Sequence, residues 1–147
     1  MSARLALAAM LVLAGAPCLQ ADLQKVMAEK NLEKRSKLAL ENAKAAYQAA
    51  RDAYQKGDMD KVQALANEID QSVQIAYQSL VDTGKDPRRS SHYFKSAEIE
   101  TRDLARRLDG FQEELNFDER PILDKAKARV QKVHDDLLLG LMEGKKK

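Results

Sequence analysis

Residues 39–80, ALENAKAAYQAARDAYQKGDMDKVQALANEIDQSVQIAYQSL, carry the pattern from which the fold is read. Backwards from Lys56-Gly57-Asp58, small residues fall at Ala53, Ala50, Ala46, Ala43 and Ala39; forwards, apolar residues fall at Val62, Ala66, Ile69, Val73, Ala76 and Leu80. Both series step by three and four, the period of a helix face packed on another helix. Glycine after the first stripe suits a left-handed helix end, and aspartate beside it suits the cap of the next helix. The stretch predicts an antiparallel helical hairpin. Folding at Gly57 sets Ala53 near Val62, Ala50 near Leu65, Ala46 near Ile69 and Ala39 near Ala76, with alanine letting the backbones approach closely.

Two further stripes follow the same period: Phe94, Ala97, Thr101, Leu104, Leu108, Phe111, Leu115, and Ile122, Ala126, Val130, Val133, Leu137, Leu141. The predicted helices run over about 22–56, 59–83, 87–116 and 119–143. Asp86-Pro87 opens the third, with Ser90 or Ser91 as a competing start, and Pro121 is placed in the first turn of the fourth. The fold class is all-α, a four-helix antiparallel bundle of two long hairpins; open, solenoid-like hairpins are the alternative. Composition agrees: three prolines, six glycines, 5% aromatic residues and no tryptophan in 147 residues. Residues 22–56 carry more lysine and arginine than acid, whereas 58–83 hold Lys61 against five acids, so the first two helices complement one another in charge. Each exposed pair adds only about 0.2–1 kcal/mol.

Residues 1–21 stand apart. Arg4 is followed by an unbroken small and apolar run, Leu5 to Ala16, and small residues lead to Ala21 before Asp22. That is the layout of a secretory signal peptide, too short for a membrane span of roughly 20 residues. Cleavage after Ala21 is expected, leaving a domain over 22–144 and a basic tail, Lys145 to Lys147. Cleavage after Ala16 suits Ala14-x-Ala16 but leaves Pro17 next. Cys18, the single cysteine, would be lost with the signal; Gly15 and Pro17 stand where a lipid-attachment sequence has an aliphatic and a small residue. The mature chain would hold no disulfide, which fits export to a periplasm or cell exterior only if packing alone holds the fold. No transmembrane segment is expected after cleavage.

The charge excludes some functions. The formal net charge is +2, and charged residues make up 33% of the chain. A dedicated nucleic-acid binder has a clear basic excess on one face, so none is expected. Arg88-Arg89, Arg106-Arg107 and Lys145 to Lys147 are the densest basic spots, and the tail is a candidate for contact with an anionic surface. No mature cysteine, Gly-x-Ser-x-Gly turn or phosphate-binding glycine loop is present, so no catalytic residue is assigned and the chain is read as non-enzymatic. His92 and His134 lack the glutamate three residues earlier that di-iron bundles use, and two histidines are too few for a closed zinc site. His134, next to the fourth stripe, is expected near the Thr101 hydroxyl.

Three resemblances add to this. Ala53-Tyr54-Gln55-Lys56-Gly57-Asp58-Met59-Asp60-Lys61 resembles the inter-helix turn of a tetratricopeptide hairpin, although no second copy follows about 34 residues on. Asp22-Leu23-Gln24-Lys25-Val26-Met27 is similar to the start of the periplasmic b-type four-helix cytochromes. That resemblance implies haem held between Met27 and His134, with the end of the fourth helix beside the start of the first. Val133 stands where the family has a tyrosine before the histidine, and covalent haem is excluded by the missing Cys-x-x-Cys-His. Ser91-His92-Tyr93-Phe94-Lys95-Ser96-Ala97-Glu98 with Val133-His134-Asp135-Asp136-Leu137-Leu138 resembles small exported bacterial helical proteins of unassigned function. The resulting expectation is an exported, non-enzymatic protein without a cofactor, acting through an unidentified protein partner or self-association. A haem-binding electron-transfer protein and a helical-hairpin binding module are the alternatives.

Overall fold

The computed structural model describes residues 18–144, with side chains from Asp22 onward. The described residues form five α-helices and one 3₁₀ segment, without a strand: α1 (Cys18–Ala28), α2 (Leu32–Gln55), α3 (Met59–Asp82), α4 (Ser91–Glu114), the 3₁₀ segment Phe117–Leu123, and α5 (Asp124–Glu143).

The α2–α3 turn closes as the glycine signal requires. Gly57 takes φ +73°. Asp58 N–H donates to the Ala53 carbonyl at 3.0 Å and Gly57 N–H to the Tyr54 carbonyl at 2.9 Å, the paired bonds of a Schellman end. The Asp58 carboxylate then accepts from Lys61 N–H at 3.1 Å to cap α3. The alanine ladder is interior, with Ala39, Ala43 and Ala50 wholly buried against α3. Asn42 Nδ2 donates to both Glu68 and Ser72 of α3 at 2.9 Å, close to the register expected from a fold at Gly57.

The second hairpin, α4–α5, packs on the first through α3 with α5 and α2 with α4, so the four long helices close into a ring around one core. Phe111 of α4 is the main wedge. Its ring meets Tyr47 edge-on at 6.0 Å and Tyr54 at 5.9 Å, both from α2. The Tyr47 hydroxyl donates to the Arg107 carbonyl at 3.3 Å, and Arg51 grips the Glu114 carboxylate with both oxygens within 2.8 Å. On the opposite side, the nearly buried Asp70 of α3 takes Arg129 Nε of α5 at 2.9 Å and Lys125 Nζ at 3.4 Å.

Three element boundaries depart from the expected ones. The predicted first helix, 22–56, is two helices. Asn31 turns extended (φ −75°, ψ 113°), and its side chain accepts from Lys34 N–H at 3.0 Å to start α2 afresh. Glu29 secures the break by accepting from Asn31 N–H and, through its carbonyl, from Arg35 Nε, both at 2.8 Å. α1 packs on α2 and α3 and buries Val26. The third helix starts at Ser91, the competing start, and not at Pro87: Asp86 closes a tight turn instead, accepting from Arg88 N–H at its carboxylate and from Arg89 and Ser90 N–H at its carbonyl. The fourth starts at Asp124. Pro121 lies in the 3₁₀ segment, and Gln112 Nε2 donates to the Arg120 carbonyl at 2.9 Å and to Asp124 at 2.7 Å across that junction.

Residues 1–17 of the expected signal peptide and the expected tail Lys145–Lys147 lie outside the described residues. The expected cut after Ala21 falls inside α1. No helix among the described residues is long and apolar enough to cross a membrane.

Candidate binding cleft

Where α3 ends, α4 begins and α5 ends, the packing leaves a cleft of about 360 Å³. Its apolar lining comes from Val81, Pro87, Phe94, Leu137 and Leu139. Local chain chemistry opens it. Gly84 ends α3 at φ +67°, turning the chain toward Pro87. Gly140 faces that proline from α5: a Cβ there would lie 3.3 Å from Pro87 Cγ. Gly144 ends α5 at φ +79°.

Polar groups stand on the wall and rim. Tyr77 of α3 is half-buried in the wall. Burial and the adjacent Asp136 carboxylate push its phenol above the usual tyrosine range, against a smaller opposing effect of Lys132. The phenol therefore stays protonated, and its hydroxyl has no hydrogen-bond partner among the described residues. The rim charges are largely satisfied: Lys85 Nζ lies 2.7 Å from Glu33, and Lys132 Nζ 2.7 Å from Asp136. Glu143 lines the mouth but is exposed to solvent. Four large apolar side chains lie open at this end of the molecule: Val81 47%, Leu138 41%, Leu139 41% and Met142 69% exposed.

The residues expected from sequence lie elsewhere. His134 of α5 is mostly buried. It faces Glu98 of α4, with Nε2 3.0 Å from Oε1, and Asp135, with Nδ1 3.2 Å from Oδ1. The expected Thr101 contact is not made, because that hydroxyl donates back to the Ala97 and Glu98 carbonyls of its own helix. Met27 is 52% exposed on α1. The structure does not bring it to His134: among the described residues α1 touches α2 and α3 and shares no contact with α5. The break at Asn31 is the physical reason, since it lays α1 on the α2–α3 face. His92 is exposed at the start of α4, edge-on to Tyr93. Arg88, Arg89, Arg106 and Arg107 are exposed, and Arg107 pairs with Asp103 at 2.8 Å. Among the described residues no group of three or more His, Cys, Asp or Glu side chains is placed to hold a metal ion.

Sequence reasoning missed the cleft. The signal that could have found it is the trio Gly84, Gly140 and Gly144, half of the chain's six glycines, which the bundle brings to one end. The chain matches no protein-family model, no curated protein and no solved structure.

Proposed function

We propose that this is an exported, non-enzymatic binding protein that holds a small, largely apolar ligand in the cleft between the ends of α3 and α5. The cleft carries the reading. Its volume lies in the range of ligand sites, about 300–1,000 Å³, and an apolar lining with a few polar groups is the usual composition of such a site. The test is a titration with the neutral dye N-phenyl-1-naphthylamine, whose fluorescence rises in apolar surroundings. The native protein should bind it. Gly140→Leu, which sets a side chain between α5 and Pro87, should weaken binding at least tenfold while helix content holds. A native protein that leaves the dye in water would remove the reading.

Export rests on the layout of residues 1–21. The protein recovered from the periplasm should begin at Asp22, read by N-terminal sequencing; an intact Met1 would refute it.

A second reading is self-association, supported by the exposed Val81, Leu138, Leu139 and Met142. Light scattering after size exclusion should then give a dimer that Leu139→Glu with Met142→Glu returns to a monomer. A native monomer at every concentration would exclude it.

A further inference from the structure

The paired charges of the rim narrow what the cleft can hold. Among the described residues an ionic ligand finds no buried counter-charge waiting. Lys85 is engaged by Glu33 and Lys132 by Asp136, each at 2.7 Å, and Glu143 and Arg88, whose side chain packs at Gly144, are solvated at the mouth, where an exposed pair contributes little. A carboxylate ligand would also meet Asp136 inside the wall. What remains is an apolar lining, with Val81, Phe94 and Leu137 drawn from three helices, and one protonated phenol without a hydrogen-bond partner among the described residues. That hydroxyl makes no hydrogen bond to the described residues and is available to donate to an acceptor that enters the cleft.

We infer that the cleft selects neutral, mainly apolar molecules carrying one hydrogen-bond acceptor, such as a ketone, ester or ether oxygen, which Tyr77 receives. This rests on the reading of the cleft as a ligand site and adds the ligand's chemistry. Tyr77 is a specificity residue here: it decides between ligands of one shape by the presence of the acceptor.

The experiment uses probes of nearly one shape, followed by calorimetry or ligand-observed NMR on the folded native chain: 1-acetylnaphthalene, 1-ethylnaphthalene, 1-naphthoate and 1-naphthylmethylammonium. The native protein should bind the ketone about two- to tenfold more tightly than the hydrocarbon, the size of one neutral hydrogen bond. Tyr77→Phe should erase that preference and leave the hydrocarbon unchanged. Both charged probes should bind more weakly than the ketone. The inference is overturned if the hydrocarbon binds as tightly as the ketone in the native protein, if the preference survives in Tyr77→Phe, or if either ion binds best. Failure of both the ketone and the hydrocarbon to bind would instead refute the ligand site. Far-UV circular dichroism of Tyr77→Phe confirms that the helices are kept.

Discussion

Single side chains show which buried groups are tied and which are only sheltered. Phe111 is 1% exposed and faces two tyrosines edge-on. Phe111→Ala removes the wedge between α2 and α4 and leaves a cavity that fixed helices cannot collapse. Urea unfolding should show a loss of about 3–5 kcal/mol. Asp70 is a different case. It is 6% exposed and holds Arg129, which also reaches Gln74 at 2.6 Å. Arg129 and Lys125 remain in part solvated, so Asp70→Ala does not strand a fully buried charge. The same measurement should give a smaller loss, about 1–3 kcal/mol. Glu68 is sheltered without an ion-pair partner among the described residues. Burial pushes its carboxyl above the usual range, Asp22 of α1 pushes further, and the bond from Asn42 pulls back. Its folded form binds a proton more readily than the unfolded chain. The contribution of this group therefore falls as pH rises from the ordinary glutamate range through the raised folded value, and then stays flat. Glu68→Gln should stabilise the protein at neutral pH, and the gain should vanish in acid. An equal gain at every pH would show that titration is not the cause.

Elements were legible wherever one residue type both ended a helix and fixed its neighbour. The turn at Gly57 was fully legible, because glycine supplies positive φ and Asp58 supplies the cap. The stripes also gave the right faces: Ala43, Ile69, Leu108 and Val130 are all buried as their periods require. Starts set by competition were only partly legible: Ser91 stood beside Pro87 as a candidate for α4, with nothing in the sequence to decide between them. Asn31 interrupts a run of good helix formers without glycine or proline, and its side-chain bond to Lys34 N–H, with the bonds to Glu29, decides for a cap. Asp86 and Pro121 each offered a helix start, yet both were taken by tighter turns. The cleft was illegible for another reason, since its lining comes from α3, α4, α5 and the loop before α4 and no segment carries its pattern. The alanine ladder yields a prediction at this scale. Ala43 has no exposed surface and lies in the α2–α3 seam. Ala43→Leu must push the helices apart, whereas Ala49→Leu, at a position only partly buried, need not. Ala43→Leu should cost about 1–3 kcal/mol in urea unfolding, and Ala49→Leu much less. Equal effects would mean that the seam is loose.

The whole molecule is a ring in which each long helix depends on both hairpins. α2 meets α3 along the alanine seam and α4 at Phe111; α5 meets α4 through His134 and Glu98 and α3 through Arg129 and Asp70. The first hairpin alone would expose the Tyr47 and Tyr54 rings that Phe111 covers, and the second alone would expose Phe111 itself. Each half loses apolar burial at about 25 cal/mol per Å² on separation, against a total stability of only about 5–15 kcal/mol. Neither half should persist when the other melts. The tyrosines allow this to be watched, because the chain has no tryptophan, and Tyr47, Tyr54 and Tyr77 lie in the first hairpin whereas Tyr93 lies in the second. Loss of tyrosine near-UV dichroism reports mainly the first hairpin and its junction; loss of far-UV helix signal reports both. In one cooperative unit the two urea curves coincide, and Phe111→Ala shifts both midpoints together. Were the hairpins independent, the near-UV signal would melt at a different urea concentration from the remaining helix. The mutation would then separate the curves further.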